Sequence, residues 1–216
     1  NYGDGNGVPN NIYGWSKLLA EEYGLRTCEK FVALRYFNVY GPGEEHKGKM
    51  ASVAYQAYQK GDFKLFPGDI KRDFVYIDDV VNANIYASTL ERGLFDVGSG
   101  NAETFENLVG GVGIKYEYHT ADKIPVWYQW FTEADKEKFM PGWFPLYDVS
   151  LGTKKYKEYF HLPEQNLNVV TAWLAFPLVI KKNNSSTFNI LLLLNIIHVL
   201  VLGEHTLIFF LIQMLF

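Results

Sequence analysis

Tyr13 and Lys17, in the stretch IYGWSK, are the first residues of this chain whose types and spacing could do chemistry together. On a helix, positions four apart share a face, so the phenol and the ammonium can reach one bound molecule. A tyrosine of ordinary pKa near 10 is a poor base at neutral pH. Bringing it to about 7 takes roughly 4 kcal/mol of preferential stabilisation of the phenolate, and a nearby cation supplies the right sign. Such a pair suits proton exchange with a carbinol during its oxidation, with the lysine also donating to the ribose of a nicotinamide cofactor. The same spacing arises on any amphipathic helix that carries a half-buried tyrosine and a solvated lysine, so on its own it leaves both readings open.

The elements that must hold this pair can be read from pattern and punctuation. Pro9 and two asparagines precede a helix from about 12 to 23, with Leu18, Leu19 and Tyr23 as its apolar stripe. FVALRYF, residues 31–37, reads as a buried strand, followed by the loop NVYGPGEEHKGK. Residues 50–60 have helical spacing, KLF and DFVYI read as short strands, and Asp78 and Asp79 can cap a helix to about Glu91. LFDVGSG looks like a strand entering a turn, Thr104 can start a short helix, and IKYEYHT reads as a strand. Alternation of this kind indicates an α/β fold with a mainly parallel sheet. No internal repeat is visible.

Composition narrows the function class. With 216 residues, 48% hydrophobic and 17% aromatic, the chain can bury a substantial core. Its net charge of -4 is spread without a basic block, which argues against nucleic acid as a partner. The single cysteine, Cys28, allows no internal disulfide, and the five histidines have no metal-ligand spacing, so no metal is expected and a reducing, cytoplasmic setting fits. No basic segment followed by an apolar run marks a secretory signal at the start.

Beyond about Pro163 the sequence changes character. FNILLLLNIIHVLVLGEHTLIFFLIQMLF is almost wholly apolar, whereas 1–163 has charges and turn signals throughout. The run 190–202 is shorter than the ~20 residues of a membrane-spanning helix and contains Asn195 and His198; extending it takes in Glu204. Residues 164–216 are therefore set apart as an apolar tail, read as a translation artefact or, alternatively, a membrane anchor.

Four stretches in order, YGWSKLLAEEY, LRYFNVYGPGEEHKGKMASV, KLFPGDIKRDFVYIDDVVNANIYA and FDVGSGNAETFENL, resemble the extended short-chain dehydrogenase/reductases, the Rossmann-type nucleotide-sugar epimerases and dehydratases. GPGEEHKGKMASV and VWYQWFTEAD are similar to the branch that inverts C6 of an ADP-linked heptose. The resemblance covers about 1–162. It implies the C-terminal part of a doubly wound fold with a small substrate-binding subdomain, bound NADP, a nucleotide-sugar substrate and a homo-oligomer. It also implies a concealed redox cycle, in which C6 is oxidised to a ketone and reduced from the opposite face. An acid/base is then needed on each side of that carbon, and the matching positions are Tyr13 and Lys47. Taken without the flanking match, Lys47 would read as a solvated loop lysine.

The remaining roles are also implied by the resemblance. Lys17, Val39 and Lys47 fall at cofactor-contacting positions, and Asn38 and Tyr128 at substrate-contacting ones. Phe66, Pro67, Gly68 and Asp69 match a strand that closes over the ADP portion, and Arg72 matches an arginine gripping the diphosphate, a task suited to its bidentate fork. Asn38 and Val39 could equally serve as a strand-end turn before Gly41 and Pro42, and Tyr128 as a buried aromatic. Asp73, Asp78 and Asp79 read as caps and turn formers.

Departures from the pattern bear on substrate more than on reaction class. Lys49 stands in place of a substrate-contacting serine, Gln56 of a histidine and Gly43 of an arginine, and LVGGVGIKY is short and glycine-rich where a longer helix is the rule. The glycine-rich cofactor fingerprint and the Ser/Thr partner of Tyr13 and Lys17 belong before Asn1; GDGNG has no preceding strand and reads as a loop. The expectation is an N-terminally truncated epimerase, inactive as it stands, with an exposed sheet edge and apolar face. The competing enzyme readings are a UDP-galactose-type epimerase or a dTDP-glucose-type dehydratase. A catalytically silent or membrane-tethered binding module is the reading of another class.

Overall fold

The computed structural model describes residues 8, 9, 11–125 and 128–161, and the backbone of strands 197–201 and 206–211. Helix α1 (Ile12–Thr27) leads into β1 (Lys30–Tyr36) and the short β2 (Asn38–Tyr40). A 3-10 turn (Glu45–Met50) precedes α2 (Val53–Lys60), β3 (Asp62–Leu65), β4 (Lys71–Tyr76), α3 (Ile77–Ala87) and β5 (Arg92–Val97). Then come β6 (Ala102–Thr104), α4 (Phe105–Gly111), β7 (Lys115–Tyr118), α5 (Val149–Phe160), β8 (Ile197–Val201) and β9 (Thr206–Leu211).

The α/β reading holds. β1 pairs in parallel with β5, from Phe31 opposite Arg92 to Tyr36 opposite Val97. β2 runs parallel to β4, which pairs antiparallel with β6, and β3 runs parallel to β7. The period-2 alternation of β1 divides its neighbours. Val32, Leu34 and Tyr36 join Val75, Val80, Ala83, Val97, Met140 and Trp143 in one apolar core. Phe31 and Arg35 point to the other face, where α1 lies. β4 divides in the same way: Val75 goes to this first core, while Phe74 and Tyr76 join Tyr40, Leu108, Val149, Tyr156 and Tyr159 in a second core.

Helix α1 starts where expected, with the Asn11 side chain accepting from the Gly14 N–H at 2.7 Å. Its buried face differs from the expected stripe. Leu19 and Tyr23 are 61% and 66% exposed, and the residues turned inward are Gly14, Lys17, Glu21 and Gly24. The reason lies in β1. A Cβ at Gly24 would sit 2.2 Å from the Phe31 ring, so only glycine admits that ring, and Glu21 faces Arg35 across two hydrogen bonds of 2.9 and 2.7 Å.

The edge of β1 is not open. β9 pairs with it in parallel, from Lys30 opposite Thr206 to Arg35 opposite Leu211, and β8 pairs antiparallel with β9. β1 is apolar on both faces, as a central strand must be, and its backbone donors and acceptors need a partner on each side. The rest of the tail lies outside the described residues. Among the described residues no helix is long and apolar enough to cross a membrane.

The three structural aspartates take up roles beyond capping. Asp73, fully buried, accepts from Ser99 N–H (2.6 Å), Ser99 Oγ (2.9 Å), Gly100 N–H (2.8 Å) and Ala134 N–H (3.0 Å), which offsets the upward push of burial on its pKa. Asp79 holds the Leu146 and Tyr147 N–H groups rather than the start of α3, and Asp78 pairs with Lys155 at 2.6 Å.

Candidate active site

The contacts of α1 fix where its ionisable pair lies. α1 runs antiparallel to β1, with Gly24 against Phe31 near the strand's start and Glu21 on Arg35 near its end. One and two turns further back along the helix, Lys17 and Tyr13 therefore lie toward the C-terminal end of β1, where Asn38 and Val39 open β2. That end of the strands is where ligands bind in open α/β sheets. Asn38 is opposite Phe74 and Val39 opposite Val75, both half-buried.

Lys17 is 7% exposed, and its Nζ is 5.1 Å from the centroid of the Tyr13 ring. Burial lowers its pKa from the ordinary lysine value. A desolvated ammonium beside a phenol ring calls for oxygen partners, which ribose hydroxyls supply. The segment GDGNG lies outside the described residues.

Lys47 is carried on the 3-10 turn, half-buried, and its N–H bonds to the Glu44 carbonyl at 3.0 Å. Gly48 follows with φ 54 and ψ −120, a reversal that separates Lys47 from Lys49. Gln56 is committed to this segment's backbone: its Nε2 donates to Ala51 O at 2.8 Å and Lys49 O at 3.2 Å.

A third group of residues lies on β4 and its flanks. Phe66–Asp69, expected as strand, form a turn after β3 ends at Leu65, because Pro67 has no N–H to give a ladder and Gly68 has φ 119. A Cβ at Gly68 would sit 2.7 Å from the Trp130 ring. Phe66 packs edge-on to Tyr128 at 5.2 Å and against His119 at 5.4 Å, while Asp69 pairs with Lys71 at the surface. Arg72 is 5% exposed, its guanidinium 5.4 Å from the Tyr128 ring and 5.8 Å from Phe105. It donates to Lys71 O and Gln129 O. Burial lowers its pKa and raises that of Tyr128, each group opposing the other's shift.

The structure thus brings Tyr13 to Lys17, Lys49 to Gln56, and Phe66 and Arg72 to Tyr128. Sequence reasoning passed over His119 and Phe105, which complete the last of these groups, and Glu44 with Tyr156, which lie against the segment that carries Lys47. Glu44, in GPGEEH, carries no local mark of burial; its partner Tyr156 is 112 positions away. Among the described residues no group of acidic, histidine or cysteine side chains could hold a metal.

Comparison with known proteins bears on this arrangement. Residues 2–98 match the NAD dependent epimerase/dehydratase family. The chain is 36% identical over 177 residues to the ADP-L-glycero-D-manno-heptose-6-epimerase of Brachyspira hyodysenteriae, covering 71% of this chain and 55% of that protein. The crystal structure of the Helicobacter pylori ADP-L-glycero-D-manno-heptose-6-epimerase superposes with a TM-score of 0.62 at 35% identity, over 74% of this chain and 53% of that one. The Thermus thermophilus UDP-glucose 4-epimerase, solved with NAD, gives 0.56 at 26% identity, over 71% and 55%. The chain spans about half the length of the relatives it matches.

Proposed function

The chain belongs to the NAD dependent epimerase/dehydratase family, and from that premise we propose that the enzyme it forms part of interconverts ADP-D-glycero-D-manno-heptose and ADP-L-glycero-D-manno-heptose by inverting C6, with NADP as the bound cofactor. The observation that carries the reading is the buried Lys17 against the Tyr13 ring at the C-terminal end of β1. The heptose assignment draws on the 36% identity to the Brachyspira protein.

The nicotinamide supplies reversible two-electron chemistry at C6. The protein's part is to bind, orient and move protons. Tyr13, as the phenolate that the Lys17 ammonium favours, takes the C6 hydroxyl proton on one face of the carbon and becomes the phenol. Lys47 serves the opposite face, returning a proton to the same oxygen after the sugar has turned. Lys17 and Val39 hold the ribose and nicotinamide side. Asn38, Lys49, Gln56 and Tyr128 contact the sugar nucleotide, with Phe66–Asp69 along the ADP and Arg72 toward the diphosphate. We place the activity in the cytoplasm and in a homo-oligomer, since α1 presents Ile12, Leu19 and Tyr23 to solvent.

The test is made on the full-length enzyme, or on a chimera in which the remaining residues of the Brachyspira relative are joined to this chain. C6 inversion is followed by proton NMR of the ADP-heptose. Tyr13→Phe and Lys47→Met are each expected to lower turnover by about 100-fold or more, the scale of a lost general acid/base. Full turnover in either variant, or inversion of UDP-glucose at C4 in preference to ADP-heptose at C6, would overturn the proposal.

A further inference from the structure

The loop that carries Lys47 is closed by a buried carboxylate that the reading above does not use. Glu44 is 4% exposed. Its Oε2 accepts from the Ser52 N–H at 2.6 Å, and its Oε1 from Ser52 Oγ at 2.6 Å and from the Tyr156 hydroxyl at 2.9 Å. Ser52 in turn caps α2 by accepting from the Tyr55 N–H, and Tyr156 is a fully buried residue of α5. Next to it, Glu45 accepts from the Tyr159 hydroxyl at 2.9 Å. Both ends of residues 44–52 are therefore tied to one carboxylate, and that carboxylate is tied to α5, 112 positions further along the chain. The intervening turn is left to present Lys47.

We infer that Glu44 is the positioning residue for Lys47: by holding Ser52 and Tyr156 at once, it fixes the height and direction of the 45–50 turn above the end of β2. This rests on the assignment of Lys47 as the second acid/base. The chemistry of the site explains why the residue is a glutamate. One oxygen serves two hydroxyls and the other serves a backbone N–H, an all-acceptor demand that a carboxylate meets. A glutamine of the same shape keeps one acceptor: it either turns its NH2 toward the Ser52 N–H, donor against donor, or turns it toward the two hydroxyls and leaves their protons without this acceptor, so the loop's ties weaken while the volume stays filled. A turn shifted by an ångström leaves sugar binding largely intact and misplaces the proton transfer.

Two readouts test this separately from the catalytic assignment. In the chain as it stands, trypsin cuts after Lys47 and Lys49 are compared with cuts after Lys60 and Lys115. Glu44→Gln is expected to speed the first pair about tenfold relative to the second, and Tyr156→Phe by a smaller factor, since local opening follows the lost hydrogen bonds. Equal acceleration at all four sites, or none, overturns the clamp. In the active enzyme, Glu44→Gln is expected to lower kcat by about 10- to 100-fold with KM for the nucleotide sugar within about twofold. A proportionate rise in KM instead overturns positioning. If the loop opens as expected but Lys47→Met keeps full turnover, the failure lies with the role of Lys47 and not with the clamp.

Discussion

The two segments that carry the candidate acid/base groups are held in opposite ways. The 44–52 loop is enclosed: a buried carboxylate, a capping serine and two tyrosines from α5 pin it from inside, all through neutral donors. Among the described residues, helix α1 is held on one side, by the Phe31 ring fitting against Gly24, by the Glu21–Arg35 ion pair and by Arg92 donating to Leu25 O and Cys28 O, while Ile12, Leu19 and Tyr23 face solvent at 89%, 61% and 66%. The loop's geometry is set by the second core it belongs to. The helix's geometry hangs on a few contacts with β1 and with Arg92 of β5, and a single charge change there should reach further.

The sharpest way to break the comparison is Arg35→Met. It leaves the Glu21 carboxylate, 3% exposed, without its guanidinium, and removing one partner of a buried pair costs about 3–5 kcal/mol. Denaturant unfolding should show the midpoint falling accordingly, and the double change Glu21→Leu with Arg35→Met should recover most of the loss. A fall of less than 1 kcal/mol, on the ~0–1 scale of surface pairs, would mean that the pair behaves as an exposed one and that α1 is held by something else.

On the loop side, Ser52→Ala removes the α2 cap and one donor to Glu44 but leaves the Ser52 N–H bond in place. The expected cost is about 1–2 kcal/mol by the same measurement. If it exceeded the loss from Arg35→Met, the contrast between a distributed clamp and a concentrated one would be wrong.

These contacts mark where sequence reading succeeds and where it stops. The extent of β1, the start of α1 at Asn11 and the Thr104 cap are local events, set by side chains within a few positions, and they were legible. The adjacency of Tyr13 and Lys17 followed from helical spacing. Which face of α1 turns inward was not legible, because it is decided by the Phe31 ring and the Arg35 charge on a strand that had to be placed first. Leu19 looked like a core residue; the strand turns Gly24 inward and leaves Leu19 in solvent. The partners of Asp73 and the Tyr156 hydroxyl on Glu44 were hidden for a like reason, since they come from positions 26 to 112 residues away. The turn at Pro67 and Gly68 could have been read from those two residues, but the strand match around them was given priority.

Lys17 sharpens the comparison through pH. Its folded pKa lies below the unfolded value of 10.5, so between the two values the unfolded chain binds more protons and stability rises with pH. Below the lowered folded pKa the buried charge costs its full amount, and above 10.5 the cost is gone. Lys17→Met should therefore be more stable than the native chain at neutral pH, with the gap closing as pH rises toward the unfolded pKa. Urea midpoints of both proteins across that alkaline window measure it, and a gap that widens would reverse the assigned sign.

The smallest expected effect concerns the outer face of α1. Leu19→Lys and Tyr23→Lys alter side chains that stand in solvent, and substitutions of that kind usually change stability by within about 0.5 kcal/mol. They also replace apolar area with charge on a helix of good local propensity, so the helix itself has no reason to melt. The informative case is a larger loss that depends on protein concentration. A contact between copies through α1 would produce it, because mass action then adds the association free energy to the apparent stability. Running the unfolding curves at two protein concentrations separates the outcomes. Curves that superimpose leave α1 one-sided, as described; curves that shift with concentration in the native chain and not in the lysine variants place a second covering on the helix and make it as enclosed as the 44–52 loop.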